Sequence, residues 1–392
     1  MKPDSNIGCY YHIPFVYNGN KIKLPGYYGV FIDSLASNCG TFYLVAHEAR
    51  EHEKSEADYE LKSTNIILIS LGKKTAAWHR TLFHRKLLSD LADKLINCSH
   101  LIVRSPSPLA PYFSKYSGAC KVVFMVVGDY AESVEQSNAK TFRERIINIY
   151  LRFNDYQFRK QMKVTDVMVN SPVLYKKYQL ISKSIHQIKT TTLSKADFHK
   201  KEDTCNGEQV HLLYTGRIDP LKGLFELIEA FAILKKSYAH LILNIVGWES
   251  SPEKPVEMSL KNLALSLGVN DDVIFHGKKQ IGQELNQVYR QADIYIIPSY
   301  EEGFPRTIWE AMANSLPVIA TNVGAIPHYL THRKDALIIE PKKVEQIVGS
   351  ITELMSNQTL RKKLIQGGQM LAENNTLEYQ TNNILNILNK LN

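Results

Sequence analysis

An alternation runs along the whole length of this chain and limits the folds open to it. Strand-sized apolar runs are separated by helix-length amphipathic stretches. This is the pattern of a parallel sheet whose crossovers cover it with helices. In the first half the runs are Phe42–Val45, Ile66–Ser70, Leu101–Val103, Val122–Val127 and Val167–Asn170. A second series follows at His211–Tyr214, Leu241–Val246, Val273–His276, Ile294–Ile297, Val318–Ala320 and Ala336–Ile339. After the first of these, Leu224, Leu227, Ile228, Phe231 and Leu234 recur at helical spacing. Between the series, Lys195–Gln209 is polar and short of apolar anchors, and reads as a linker. The expectation is an α/β chain of two doubly wound domains, residues 1–200 and 201–375. Residues 376–392 are expected to form a helix returning toward the first domain. Ligands of such sheets sit outside the carboxyl ends of the strands. The site is therefore expected in a cleft where two such ends face each other.

Composition narrows the class. Of 392 residues, 44% are apolar and 22% charged, which excludes a disordered chain, a collagen-like repeat and a small disulfide scaffold. The longest apolar runs are strand-sized, far short of the about 18 residues of a membrane-spanning helix. Met1–Tyr10 lacks a charged flank followed by an apolar stretch, so no secretory leader is expected. Cys9, Cys39, Cys98, Cys120 and Cys205 are odd in number and never spaced as CxxC. They read as reduced thiols of a cytoplasmic protein, with no metal framework.

The net charge of +8 is unevenly placed. Residues 1–200 carry 28 Lys and Arg against 17 Asp and Glu, while the remainder has 19 against 22. A basic half suits an anionic partner. No zinc finger, RNP pattern or heptad zipper accompanies it, so nucleic acid is not expected. A membrane surface or a phosphate-bearing ligand is preferred. Within Lys140–Lys163, aromatic and aliphatic residues interleave with Arg143, Arg145, Arg152, Arg159 and Lys160. Such a helix can lie on an anionic membrane; the plainer reading packs it on the sheet with its basic face in water.

The residues suited to chemistry lie in the second half. The strand ending at Tyr214 runs into Thr215-Gly216-Arg217-Ile218-Asp219-Pro220-Leu221-Lys222-Gly223. Gly216 permits a close backbone turn. Arg217 and Lys222 emerge from one strand-to-helix loop, and two cations there suit a diphosphate. The strand Asp293–Ile297 ends at Pro298-Ser299 and continues through Glu302-Gly303-Phe304-Pro305-Arg306-Thr307 to Glu310. Pro305 suits a first helical position, which would leave the amides from Phe304 to Thr307 as helix-start donors for phosphate. Glu310 shares a helix face with Thr307, where a carboxylate can accept hydrogen bonds from vicinal ribose hydroxyls. Glu302 stands nearer the strand end, where a sugar would lie.

With these pieces in order, the second half resembles the donor domain of family-4 retaining glycosyltransferases of the GT-B fold. The resemblance rests on Tyr214-Thr215-Gly216-Arg217 with Lys222-Gly223, Val246-Gly247, Phe275-His276-Gly277 and Gln291-Ala292-Asp293. Its most specific piece is Glu302 and Glu310 with seven residues between them. The series spans residues 211 to 340. The first half is similar more loosely. Gly26-Tyr27-Tyr28-Gly29 stands where a glycine-rich acceptor loop is expected, making Gly29 an acceptor-side candidate. Thr165-Asp166-Val167-Met168-Val169-Asn170-Ser171 is similar to the family's final strand-and-serine segment. Where the family often has a His near the reacting sugar, this chain has Val127-Gly128-Asp129, so Asp129 is the candidate there. Ala325 and His328 replace a Gly and a Glu that are common in the family.

The resemblance implies a nucleoside diphosphate sugar as donor. Arg217 and Lys222 would hold the diphosphate and Glu310 the ribose. Glu302 and the backbone of Gly303, Phe304, Pro305 and Arg306 would meet the sugar and phosphate. The base would rest at Gly277 and Lys278. It further implies transfer with retention, no cofactor and no metal, the donor half having no Asp-x-Asp pair near a strand end. The expected role is surface-polysaccharide assembly with a lipid-linked or glycan acceptor, on the inner face of the cytoplasmic membrane. A nucleotide-sugar epimerase of the same plan and a silent nucleotide-sugar-binding scaffold are the other readings.

Overall fold

The computed structural model describes residues 5–19, 21–128, 142–249, 251 and 253–391. The chain divides into two compact units, Met1–Thr190 with Glu378–Asn392, and Thr191–Leu377.

The first unit holds β1 (Ile7–Tyr10), β2 (Val16–Asn18), β3 (Lys21–Leu24), β4 (Phe42–Glu48), β5 (Tyr59–Glu60), β6 (Ile66–Lys73), β7 (His100–Ser105), β8 (Lys121–Val126), β9 (Asp166–Val169) and β10 (Ser184–Gln187). Seven of these form a sheet in the order β10-β9-β8-β7-β1-β4-β6, and every pairing in it is parallel. A small antiparallel sheet, β2-β3-β5, is separate. The second unit holds β11 (Val210–Thr215), β12 (Leu241–Val246), β13 (Val273–Gly277), β14 (Ile294–Ile297), β15 (Val318–Thr321) and β16 (Leu337–Ile339). Their order is β13-β12-β11-β14-β15-β16, again all parallel.

Both sheets wind outward in two directions from their first strand. The order reverses between β1 and β7 in one unit and between β11 and β14 in the other. That reversal is the switch point at which doubly wound sheets open a crevice at the strands' carboxyl ends. Helices cover both faces, so the central strands are buried on both sides and read as unbroken apolar runs. Every residue of β14 and β15 is buried. The two-sided burial is what made these strands legible.

Some elements differ from expectation. β1 is an interior strand of its sheet, yet it is short and contains Gly8. A Cβ at Gly8 would lie 3.0 Å from both the Leu101 side chain and the Tyr43 carbonyl, so packing rather than strand propensity selects glycine there. The unit boundary falls between Thr190 and Thr191 rather than near residue 200. Residues 195–209 are not a free linker, because they are tied into the second unit. The Cys205 amide donates to Asp293 Oδ1 at 2.8 Å, and Asp203 takes a two-pronged bond from Arg361 at 2.8 and 2.9 Å. The C-terminal helix, Leu377–Lys390, places Ile384, Leu385, Ile387 and Leu388 in the first unit's core.

The Asp203–Arg361 pair is almost fully buried, at 6% and 5% exposed. Removing one partner strands a buried charge, so Arg361→Ala is expected to cost about 3–5 kcal/mol in chemical denaturation. Burial alone would raise the Asp203 pKa, but bonds from Arg361, Gln358 and the Thr204 amide outweigh it and hold the carboxyl below its ordinary 3.8. A depressed folded-state pKa stabilises above the unfolded value. The contribution is therefore complete at neutral pH and lost as the solution is acidified below about pH 4. In Arg361→Ala that acid-linked loss should shrink.

The helix Phe142–Met162 realises the plainer of its two readings on one side only. Asn154, Phe158 and Met162 are buried, with the Phe158 ring 4.8 Å from Phe124. Ile146, Ile147, Ile149, Phe153 and Tyr156 are exposed.

Candidate functional site

The second unit's switch point is built by two strand-to-helix loops. After β11, the Gly216 amide bonds to the Val246 carbonyl at 3.0 Å, which ties the loop to β12. Asp219 then accepts from the Leu221 amide at 2.9 Å and starts a short turn, Pro220–Lys222. Gly223 ends that turn at φ 66°, and a Cβ there would lie 2.1 Å from the Pro298 carbonyl oxygen. Only glycine allows the β11 loop to approach β14 this closely. The Tyr300 amide bonds to the Leu221 carbonyl at 2.8 Å, joining the two loops.

Lys222 and Glu302 meet across this seam. The Lys222 ammonium is 2.6 Å from Glu302 Oε1, with the two side chains 15% and 12% exposed. The same Glu302 oxygen accepts from Ser299 Oγ at 2.9 Å. Ser299 is itself fixed by Thr321 Oγ1, which donates to its carbonyl at 2.6 Å. Arg217 is exposed. Its carbonyl accepts the Tyr214 hydroxyl at 2.8 Å. Burial first, and the charges of Tyr295, Glu302 and Asp219 after it, push Tyr214 well above the ordinary tyrosine range, while Arg217 pulls the other way. Arg217 and Glu302 thus act on one hydroxyl.

Glu310 is no surface charge. It is 8% exposed, and each oxygen accepts one bond, Oε1 from Thr192 Oγ1 at 2.6 Å and Oε2 from the Tyr289 hydroxyl at 2.9 Å. Tyr289 also bonds Thr215 Oγ1 at 2.6 Å. Thr215 lies 3.3 Å from the Tyr295 hydroxyl, which donates to Thr307 Oγ1 at 2.6 Å. A buried chain therefore runs from Thr192 through Glu310, Tyr289, Thr215 and Tyr295 to Thr307. Burial, and next the charge of Glu310, drives Tyr289 well above the ordinary range, so its hydroxyl keeps the proton that Glu310 accepts. A carboxylate has about four lone-pair positions; two are used here.

The turn between Glu302 and Thr307 corrects one expectation. Pro305 does not hold the first helical position, because the helix runs Thr307–Ala313 with Arg306 as its cap. Entry is delayed because the preceding backbone is held elsewhere. Ala325 donates to the Gly303 carbonyl at 2.8 Å. Phe304 stacks on Trp309 at 4.4 Å and meets the Tyr329 edge at 5.0 Å. Ile308 then bonds back to the Pro305 carbonyl before Glu310 bonds to Arg306. Gly277 ends β13 and accepts from the Gly247 amide at 2.9 Å. The ammonium of neighbouring Lys278 covers the Trp248 ring at 5.1 Å.

On the other unit, Gly26-Tyr27-Tyr28-Gly29 is not a loop but the first turn of the helix Gly26–Ala36. A Cβ on Gly29 would lie 2.3 Å from the Tyr59 ring, whose hydroxyl donates to Asp33 at 2.8 Å. Gly29 makes room for that ring. Asp129 lies outside the described residues. Among the described residues no group of three His, Cys, Asp or Glu is arranged to hold a metal ion.

The structure thus unites Lys222 with Glu302 and links Glu310 to Thr307. Sequence reasoning missed Thr192, Thr215, Tyr289, Tyr295 and Ser299. One signal was available, a hydroxyl-bearing Tyr295 inside the otherwise aliphatic Ile294–Ile297. Thr192 had none, since it stands beside residues that read as linker.

Residues 195–370 match the family glycosyl transferases group 1. The matched segment contains Arg217, Lys222, Glu302 and Glu310 and lies within the second unit. An uncharacterized glycosyltransferase of Haemophilus influenzae is 29% identical over 172 residues, 44% of this chain and 46% of that protein. The D-inositol 3-phosphate glycosyltransferase of Saccharomonospora viridis is 30% identical over 184 residues, 46% of this chain and 42% of that enzyme. The chain thus spans less than half the length of these curated relatives. Solved structures align over the whole chain. A glycosyltransferase from Rickettsia africae has a TM-score of 0.71 at 18% identity, covering 100% of this chain and 99% of its own. Anabaena HepE, solved in complex with UDP, has a TM-score of 0.71 at 13% identity, covering 99% of this chain and 100% of its own. These likenesses establish the fold as GT-B, with two Rossmann-like α/β units.

Proposed function

We propose that the chain is a retaining, metal-independent glycosyltransferase that moves a sugar from a nucleoside diphosphate sugar to a hydroxyl acceptor. The observation that carries this reading is the Lys222–Glu302 pair at the β11–β14 switch point, with a separate hydroxyl chain tying Glu310 through Tyr289 to Thr215 at the end of β11. The group 1 match and the fold shared with a UDP-bound protein support it.

The chemistry follows from charge. As the anomeric carbon–oxygen bond breaks, negative charge grows on the departing phosphate and positive charge on the sugar. Lys222 has three donors, so it can keep Glu302 and take phosphate oxygens. Arg217 and the backbone amides of Gly303, Phe304, Arg306 and Thr307 add donors on the same edge. Groups fixed in advance act on this charge at no reorganisation cost. Glu302, held by Lys222 and Ser299, stands beside the sugar. The acceptor oxygen bonds to the anomeric carbon from the face the phosphate leaves, and its proton passes to the departing phosphate oxygen. That balance needs no metal. The two unused lone-pair positions of Glu310 receive the ribose hydroxyls, with the base near Gly277 and Lys278. Glu310→Ala is expected to weaken donor binding about 10- to 100-fold while changing turnover of bound donor little. Calorimetry and saturation kinetics read the two separately.

The acceptor proposed is a lipid-linked or glycan hydroxyl in surface-polysaccharide assembly at the inner face of the cytoplasmic membrane. Among the described residues no helix is long and apolar enough to cross a membrane. The basic first half and the exposed Ile149, Phe153 and Tyr156 beside exposed Arg145, Arg152 and Lys160 suit peripheral contact with an anionic bilayer. Ile149→Glu with Phe153→Glu should lower binding to anionic vesicles on the order of tenfold. Unchanged vesicle binding would remove the membrane part.

The test of the whole reading is turnover of UDP-, GDP- and ADP-sugars with and without polyprenyl-diphosphate acceptors. Transfer with retained anomeric configuration in the presence of a chelator is expected. Interconversion of the donor without acceptor, or no turnover at all, would contradict it.

A further inference from the structure

The first unit has its own switch point, between β1 and β7. The chain brings an unusual set of side chains to the carboxyl edge of that sheet. His12 follows β1, His47 stands near the end of β4, and Arg104 near the end of β7. Arg80 lies on the short helix Ala77–Leu82 that follows β6. Ring contacts group Arg104, His12 and His47, and the Arg80 side chain reaches the Tyr10 hydroxyl. The Arg104 guanidinium covers the Tyr11 ring at 4.7 Å, Tyr11 meets the His12 ring at 4.3 Å, and Tyr10 meets His47 edge-on at 6.5 Å. The Tyr10 hydroxyl is pinned by Ser107 at 3.0 Å.

Buried polar groups ordinarily find partners. Here they do not. His47 is fully buried and Arg80 is 5% exposed. Nδ1 of His12, both ring nitrogens of His47, Nε and Nη1 of Arg80 and Nε of Arg104 are buried without a hydrogen-bond partner. Nearby Lys74 is already taken by Glu53. Such a cluster is costly to keep in a folded chain unless something with the opposite charge uses it.

We propose that Arg80, Arg104, His12 and His47 form an oxyanion site for a phosphate or diphosphate group carried by the acceptor. The guanidiniums supply charge in a forked geometry suited to phosphate oxygens, and the imidazoles supply N–H donors. Burial first, and then the cations Lys74, Arg80 and Arg104, hold His12 down to about 3. Burial, Arg80 and Lys74 do the same to His47, held at about 4. The charges acting on both rings are cationic, which is the environment an anion would neutralise. That the anion belongs to the acceptor rests on the glycosyltransferase reading; the site itself does not.

The test is imidazole NMR on the full chain, with the His12 and His47 signals assigned by single substitution. Inorganic pyrophosphate, a soluble prenyl diphosphate and glucose 1-phosphate are titrated in turn. Saturable movement of both ring signals is expected. Arg80→Gln and Arg104→Gln should each weaken that response about tenfold or more, and Lys222→Ala should leave it unchanged. Arg80→Met should also raise the unfolding temperature while losing the response, a pairing that a purely structural arginine would not show. Tighter binding of the prenyl compound assigns a lipid acceptor, and tighter binding of the sugar phosphate a soluble one. Ring signals unmoved by all three compounds overturn the site even if sugar transfer is observed. A saturable response without sugar transfer leaves the site standing and defeats the enzyme reading instead.

Discussion

Replacing Lys222 with alanine is expected to lower turnover about 100- to 1000-fold, the usual effect of losing one preorganised donor to a developing negative charge. The side chain is 15% exposed, and its ammonium lies 2.6 Å from Glu302. Two losses coincide in the variant. The diphosphate proposed to depart there loses a fixed cation, and Glu302 is left with Ser299 as its remaining hydrogen-bond partner on Oε1. A buried carboxylate without its cation is destabilised, so Glu302 should also drift from its place. The loss should fall on turnover more than on donor affinity, because the charge being stabilised grows only as the bond breaks. Arg217→Ala is the companion variant, and the same principle gives it about 100-fold. Arg217 is exposed and unfolding should barely register its loss, whereas Lys222→Ala should lose some thermal stability too. Turnover within a few-fold of the parent in both variants would detach this edge of the sheet from the chemistry.

The second large effect concerns a residue that carries no chemistry. Gly324 adopts φ 56°, and a Cβ there would lie 1.6 Å from the Glu302 carbonyl oxygen and 3.1 Å from that of Gly303. Gly324→Ala therefore combines backbone strain with a collision against main chain that cannot rotate away. Strain and overpacking together are expected to cost on the order of 3 kcal/mol. The structure can relax only by moving Glu302 and Gly303, which are the residues proposed to meet the sugar and phosphate. Activity should fall along with stability, and Ala325, whose amide bonds to Gly303, should move with them. Thermal unfolding and turnover measured on the same preparation check both halves. A Gly324→Ala protein with parental stability would mean that the β15 loop does not brace the Glu302 turn.

The sheets were legible because parallel strands buried on both faces read as unbroken apolar runs. Leu241–Val246 and Ile294–Ile297 have the same limits in sequence and structure. β1 escaped because its glycine and cysteine dilute the apolar signal, although it is the strand around which its sheet reverses. β10, Ser184–Gln187, escaped because an edge strand needs no apolar face on its open side. At the site, side chains set by local spacing were readable, Lys222 against Gly223 and Glu302 against Glu310. Partners set by tertiary return were not. Thr192 reaches Glu310 across 118 positions of chain, and no local pattern encodes that. The helix start was misplaced because proline's local preference for a first helical turn yields here to the Phe304–Trp309 stack and the grip of Ala325 on Gly303. Likewise Gly29 reads locally as a loop glycine, yet its role is to admit the Tyr59 ring.

Lys222, Arg217 and the Gly303–Thr307 turn are proposed to hold a diphosphate at the β11–β14 switch point. A crystal structure of the full chain soaked with a nucleoside diphosphate tests it most directly. Density for the two phosphates within hydrogen-bond distance of Lys222 and Arg217, with the ribose on Glu310, is the predicted result. A nucleotide bound elsewhere on the chain, with the Lys222–Glu302 pair untouched, would contradict it.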